Sequence, residues 1–295
     1  MPDYRAPIRD LAALAGRPLF EPVAGWLRHF GGSAPPDLAA LNAALASLPA
    51  PPRAASGMPL RFVAPAAAGD GAAGGYEERV FARGEVETRP GNWHDFFNAL
   101  AWLAYPRAKR ALNGRHHAAL LAQRAAGRAE RGAARDAATQ FDECGMAVVS
   151  ADAALLDLLR GHAWRTLFWQ ERARLAQRMR FFVFGHASWD ALRAPFFGLT
   201  AKALLIEVDE PWLAQPFSSQ LESVDARLAG MFSGDAAPAR PRELQPLPLL
   251  GIPGVVAENE TAAYYDDARQ FRPSCRNRPK KKGPAEAGPE MEAEV

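Results

Sequence analysis

Three apolar runs of strand length, at residues 146–149, 181–184 and 203–208, alternate with segments of helical periodicity, and this alternation constrains the fold more than any other feature of the chain. Each run is of strand length and far too short to cross a membrane. The stretches at 153–159, 164–179 and 188–193 read as helices, and a longer helix is expected over 211–231. The pattern predicts an α/β protein, helix-rich and in one domain, with a small and at least partly parallel sheet in its C-terminal half. The three strands should share one sheet, with at least two of them parallel and helices as the crossovers.

The rest of the chain divides by composition. Residues 1–48 form a helical N-terminal layer, with Phe20, Val23, Trp26, Leu27 and Phe30 at helical spacing. Residues 49–75 are dense in Pro, Gly and Ala and read as a mobile linker, interrupted by a short strand at 60–63. The body spans 76–272. Its first segment, 76–88, alternates around Arg83-Gly84 as a strand or small hairpin would. Asn92 then caps a helix, with Asp95 at the third position to complete a capping box. Trp93, Phe96, Phe97, Leu100 and Ala104 make the buried stripe of that helix, and Pro106 suits the first turn of the next. Asn113-Gly114 should end or kink this second helix. Prolines recur over 241–253, which predicts an extended wrap, and the basic-then-acidic tail at 273–295 reads as disordered.

Composition excludes more chemistry than it assigns. A net charge of +2, with both signs interspersed, leaves no basic footprint for nucleic acid. No apolar run is long enough for a membrane span and no leader is read at the start. With only Cys144 and Cys275 there is neither a disulfide framework nor a paired-cysteine zinc site, so a cytoplasmic location is expected. Glycine-rich phosphate loops, His-Glu-x-x-His and Gly-x-Ser-x-Gly are all missing; no cofactor is implied and no metal centre is assigned.

Lysine is scarce in this arginine-rich chain: three of five lysines sit in the tail, and only Lys109 and Lys202 lie in the body. Lys109 falls within 92–117, together with three of six histidines and three of six asparagines. On the first helix of that segment His94 and Asn98 are one turn apart, with Asp95 beside them. On the second, Lys109, Asn113 and His116 share a face if the helix is continuous. A turn at Tyr105-Pro106 would fold the two polar faces together, as a site requires. His186 follows the 181–184 strand, and a parallel sheet would set it at the carboxyl ends of the strands, beside Ser150-Ala151-Asp152 and Asp209. Asp142 and Glu143, ahead of Gly145, supply either a base or metal carboxylate or a charged turn.

Several of these segments, taken in order, resemble a bacterial family known only as a domain of unknown function, DUF3025. They include Asn92-Trp93-His94-Asp95-Phe96-Phe97-Asn98, Tyr105-Pro106-Arg107-Ala108-Lys109, Phe141-Asp142-Glu143-Cys144-Gly145, Phe182-Val183-Phe184-Gly185-His186-Ala187 and Glu258-Asn259-Glu260 with Tyr265-Asp266. The likeness covers most of 76–273 and implies no activity. Two readings of the residues therefore stand side by side. One is an acid–base or hydrolytic enzyme, with or without a metal ion, using His94, Asp95, Asn98, Lys109, His116 and His186, with Asn113, Asp142 and Glu143 binding the ligand. In that reading Lys109 favours a small anionic ligand. The other is a non-catalytic binding module.

Overall fold

The computed structural model describes residues 6–65, 75–127 and 132–274. Most of the tail and part of the 49–75 segment lie outside the described residues. Helices α1 (Leu11–Ala15), α2 (Ala24–Phe30) and α3 (Leu38–Ala46) precede strand β1 (Arg61–Val63). Then come α4 (Tyr76–Arg83), β2 (Glu85–Glu87), α5 (Trp93–Ala104), α6 (Pro106–Ala125) and α7 (Ala133–Cys144). The remainder is β3 (Gly145–Ser150), α8 (Ala153–Arg160), α9 (Arg172–Arg178), β4 (Met179–Val183), α10 (His186–Leu192), β5 (Thr200–Glu207), α11 (Glu210–Leu213), α12 (Phe217–Ser233) and β6 (Gln245–Pro248). No helix among the described residues is long and apolar enough to cross a membrane.

The main sheet has the order β4-β3-β5-β6. The three expected strands share it, and β3 and β5 are parallel, with Val148 opposite Leu205. Strand β4 runs antiparallel to β3, with Met146 opposite Val183. Strand β3 is buried along its whole length, as a central strand covered on both faces must be. One hydrophobic core runs from Leu11 to Phe271, so the N-terminal helices belong to the same domain as the sheet. Polar anchors fix that layer: Trp189 Nε1 donates to Leu19 O at 3.0 Å, and Arg193 Nε to Ile8 O at 2.9 Å.

Several local expectations are corrected. Residues 76–83 are helix, not strand, because the Gly75 amide donates to Glu78 at the third helical position. Gly84 closes that helix at φ +67, where a Cβ would meet Pro59 O at 2.0 Å, and its own carbonyl accepts from Arg61 N to seat β2 on β1. Helix α6 runs unbroken through Asn113-Gly114, since the Asn113 side-chain amide donates to Glu77 O instead of capping. The helix expected over 211–231 is split at Pro216, which starts α12. Within 241–253 the chain forms strand β6, paired antiparallel to β5 with Pro246 opposite Lys202 and Pro248 opposite Thr200. Asn259, fully buried, donates to Leu250 O and Ile252 O, so its motif serves to fold the C-terminal wrap.

Tyr105 gives α6 no side-chain cap, and Asp225 of α12 takes over that task by accepting from the Arg107 and Ala108 amides at 3.1 and 2.8 Å. Burial raises the Asp225 carboxyl to about 6 in spite of these bonds. A carboxyl that holds its proton more tightly folded than unfolded contributes fully below about pH 4, and that stability is lost as pH rises through about 6. Relative to Asp225→Asn, the wild type should therefore lose roughly 2–3 kcal/mol of unfolding free energy between about pH 4 and pH 7. Urea denaturation of both chains across that range measures it, and a constant difference would refute the assignment.

Candidate functional site

A cleft of about 610 Å³ opens between α4, α5, α6, α7 and the start of α10. His94, Asp95, Asn98, His116, Asp142, Glu143 and His186 all line it, whereas Lys109 and Asn113 lie behind its wall.

The geometry starts from two glycines. Gly145 opens β3 and Gly185 follows β4, and the antiparallel pairing returns the chain so that they abut. Gly185 N donates to Gly145 O at 2.9 Å, and a Cβ on Gly185 would lie 2.4 Å from Gly145 N. This contact sets the last turn of α7, carrying Asp142 and Glu143, against the first residue of α10, His186. The expected place of His186, beside Ser150, Asp152 and Asp209, is therefore wrong. Because β4 is antiparallel, its carboxyl end meets the amino end of β3, at the opposite edge of the sheet. Asp142 and Glu143 are likewise helical and not a charged turn.

Helix α5 adds His94. Its Nε2 lies 3.1 Å from His186 Nε2 and 3.8 Å from Glu143 Oε2, and His186 Nε2 is 3.5 Å from the same carboxylate oxygen. His186 is buried while His94 and Glu143 are partly open to solvent. Burial drives the His186 imidazole down to about 3, against the pull of Asp142, so the ring is neutral. Burial, reinforced by the neighbouring Asp142 charge, raises Glu143.

Behind this cluster lies a buried network. Lys109 Nζ is 2.5 Å from Asp142 Oδ1 and 3.0 Å from Asn98 Oδ1, and Asn98 in turn donates to the Tyr76 hydroxyl at 2.7 Å. The ammonium also sits 5.4 Å from the centre of the Trp102 ring. Burial would raise the Asp142 carboxyl, but the charge and hydrogen bond of Lys109 outweigh it and hold it below the usual carboxylate range. The expected role of Lys109 as an anion anchor is thus corrected: its charge is already matched inside the protein. Asp95 does not complete the capping box either; it accepts from Arg89 N, Nε and Nη2, while Asn92 alone caps. Asn113 is tied to Glu77, and His116, buried at the cleft wall, has no hydrogen bond on either ring nitrogen and lies 3.9 Å from Glu77.

Sequence reasoning misses Tyr76, Glu77 and Arg89 as site residues. The first two sit in the segment that reads as a strand, and the acidic pair Glu77-Glu78 after Gly75 is the available sign of a helix start.

Fold and cleft together define an α/β protein with a histidine–carboxylate cluster at the amino end of its parallel strands. The family model described as "Protein of unknown function (DUF3025)" matches residues 60–275, and the chain belongs to that family. No curated protein and no solved structure matches it. The matched span contains the entire cluster and leaves out α1 to α3.

Two substitutions test this construction by urea denaturation. Lys109→Ala strands the buried Asp142 charge and should cost about 3–5 kcal/mol. A loss below about 1 kcal/mol would show that the pair is solvated. Gly185→Ala forces a Cβ into backbone and should cost more than about 3 kcal/mol, and a neutral result would mean that the two glycines do not abut.

Proposed function

We propose that this chain is a hydrolytic enzyme working by acid–base chemistry in the cleft, with His94, Glu143 and His186 as the group that binds and activates the attacking water. The observation that carries the reading is the convergence of three lone-pair atoms, from three different helices, within 3.1 to 3.8 Å at the cleft wall. Neighbouring polar groups behave differently. Asn98, Lys109 and Asp95 are engaged with protein partners, as groups that serve the fold are. Both nitrogens of His116 are buried without hydrogen bonds, which suits a group that waits for a ligand.

The protein groups at the cluster are on balance acidic, so the cluster itself attracts positive charge. Glu77 and Glu143 face the cleft, and the buried Lys109 ammonium is neutralised by Asp142. A second reading, a binding module without turnover, is favoured by the extent to which Asn98, Lys109 and Asp142 serve the fold. Both readings take the chain as bacterial and cytoplasmic, supported by its arginine-rich, lysine-poor composition and by the free thiol of Cys144.

A panel of chromogenic esters, amides and phosphodiesters, incubated with the purified full chain, tests the proposal. One class should be turned over, with kcat lowered at least about 100-fold in Glu143→Gln and His94→Ala while both variants keep the wild-type circular dichroism. Binding without turnover across the panel would favour the binding module. Turnover unchanged in Glu143→Gln would remove the cluster from the chemistry.

A further inference from the structure

We infer that His94 Nε2, His186 Nε2 and a Glu143 carboxylate oxygen bind one first-row transition-metal dication of the zinc type, with its remaining coordination positions open to the cleft. The inference rests on the proposed reading of the cleft as a reaction site and specifies how the cluster would activate water there.

The spacing fits an ion. Nitrogen and oxygen ligands about 2.0–2.2 Å from a metal lie roughly 3.0–3.5 Å from each other in octahedral to tetrahedral geometry. The three separations here are 3.1, 3.5 and 3.8 Å, so shifts of a few tenths of an ångström complete the set. The orientation also fits. Both imidazoles turn the same nitrogen, Nε2, toward the same carboxylate oxygen. In neutral rings that near-contact lets only one nitrogen carry a proton, whereas a cation between them uses both lone pairs.

The surroundings place a carboxylate on the far side of His186. Behind His186, Asp142 Oδ2 lies 4.0 Å from Nδ1, beyond hydrogen-bond reach, and a shift of about 1 Å would close the contact that fixes the tautomer leaving Nε2 free to ligate. Asp142 is itself held by Lys109 through its other oxygen, so the carboxylate beside the ring is fixed in place. Lys109 and Asp142 cancel, and Glu143 leaves the cluster one negative charge in excess, which attracts a dication. Two imidazoles and one carboxylate without a thiolate select a borderline ion such as zinc over calcium or magnesium. Cys144 does not compete, because its thiol is directed to Gln140 O.

Three protein ligands leave at least one position for water or substrate, as in hydrolytic metal sites. An independent observation lies further along the wall. His116 is about 3% exposed and has no hydrogen bond on either nitrogen, so it is placed to meet a group of a ligand bound in the same cleft.

The test uses the full chain stripped with a strong chelator and titrated with Zn²⁺ and, for its visible spectrum, Co²⁺. The expected result is one ion per chain, a cobalt spectrum of low coordination number, and a rise in melting temperature on zinc addition. Affinity should fall at least about 100-fold in His94→Ala and Glu143→Ala but stay unchanged in His29→Ala, a substitution of an exposed histidine. His94 is partly exposed, so its replacement leaves a folded chain even if substitution of buried His186 does not. Failure to bind a stoichiometric ion, or undiminished binding in His94→Ala, overturns the inference. Stoichiometric binding with no turnover of any substrate would uphold the metal site and remove the hydrolytic reading. Turnover by the stripped chain without ion binding would do the reverse.

Discussion

The buried charge of Lys109 is the constraint on which the rest of the cleft depends. Taking an ammonium out of water costs several kcal/mol, and the cost is offset only by a close counter-charge and full hydrogen bonding. Asp142 supplies the charge, Asn98 a neutral acceptor, and Trp102 a ring face. These partners come from α5 and α7 while Lys109 is on α6, so satisfying one side chain fixes three helices relative to one another. Tyr76, joined through Asn98, adds α4. The cleft is the space these four helices leave, and its reactive face inherits its precision from a group that never reaches it.

This arrangement divides the polar residues by task. Arg89 with Asp95, and Lys109 with Asp142, are closed pairs whose charges are matched within the protein. His94, Glu143 and His186 form an open set, supported from behind by the closed one. Support of this kind holds a reactive geometry within a fraction of an ångström and keeps its electrostatics directed outward. The location is also unusual for a sheet with parallel strands. Such sheets commonly bind ligands at the carboxyl ends of their strands. Here the cluster lies at the amino end of β3, because the antiparallel β4 delivers His186 there.

Much of the fold is legible in the sequence because its signals are local. Strand-length apolar runs at 146–149, 181–184 and 203–208, the Asn92 cap and the Pro106 helix start all depend on neighbours a few residues away. The direction of β4 is not local: nothing within Phe181-Phe182-Val183-Phe184 states which end meets Gly145, and the misplacement of His186 follows from that. The segment at 76–83 misleads because true alternation, Glu85-Val86-Glu87, follows directly and outweighs the weaker sign of Glu78 at the third position of a helix. The scarcity of lysine and asparagine draws attention to Asn98 and Lys109, which the fold joins in one buried network. It does not distinguish a task in the fold from a task at a ligand, since both need a polar group held in place.

The last strand of the sheet carries a further consequence. Beyond the end of β6 the Leu249 amide turns inward to Leu199 O, so the amides of Leu247 and Gln245 turn inward with it by alternation. Pro246 and Pro248 therefore occupy the outward positions, where their missing N–H groups would otherwise point away from β5. This margin of the sheet offers carbonyl oxygens but no donors, and a strand approaching from another molecule would find half of its ladder unanswerable. The two prolines thus act as a terminus for strand addition, protecting a protein with a wholly buried central strand from edge-to-edge aggregation on that side.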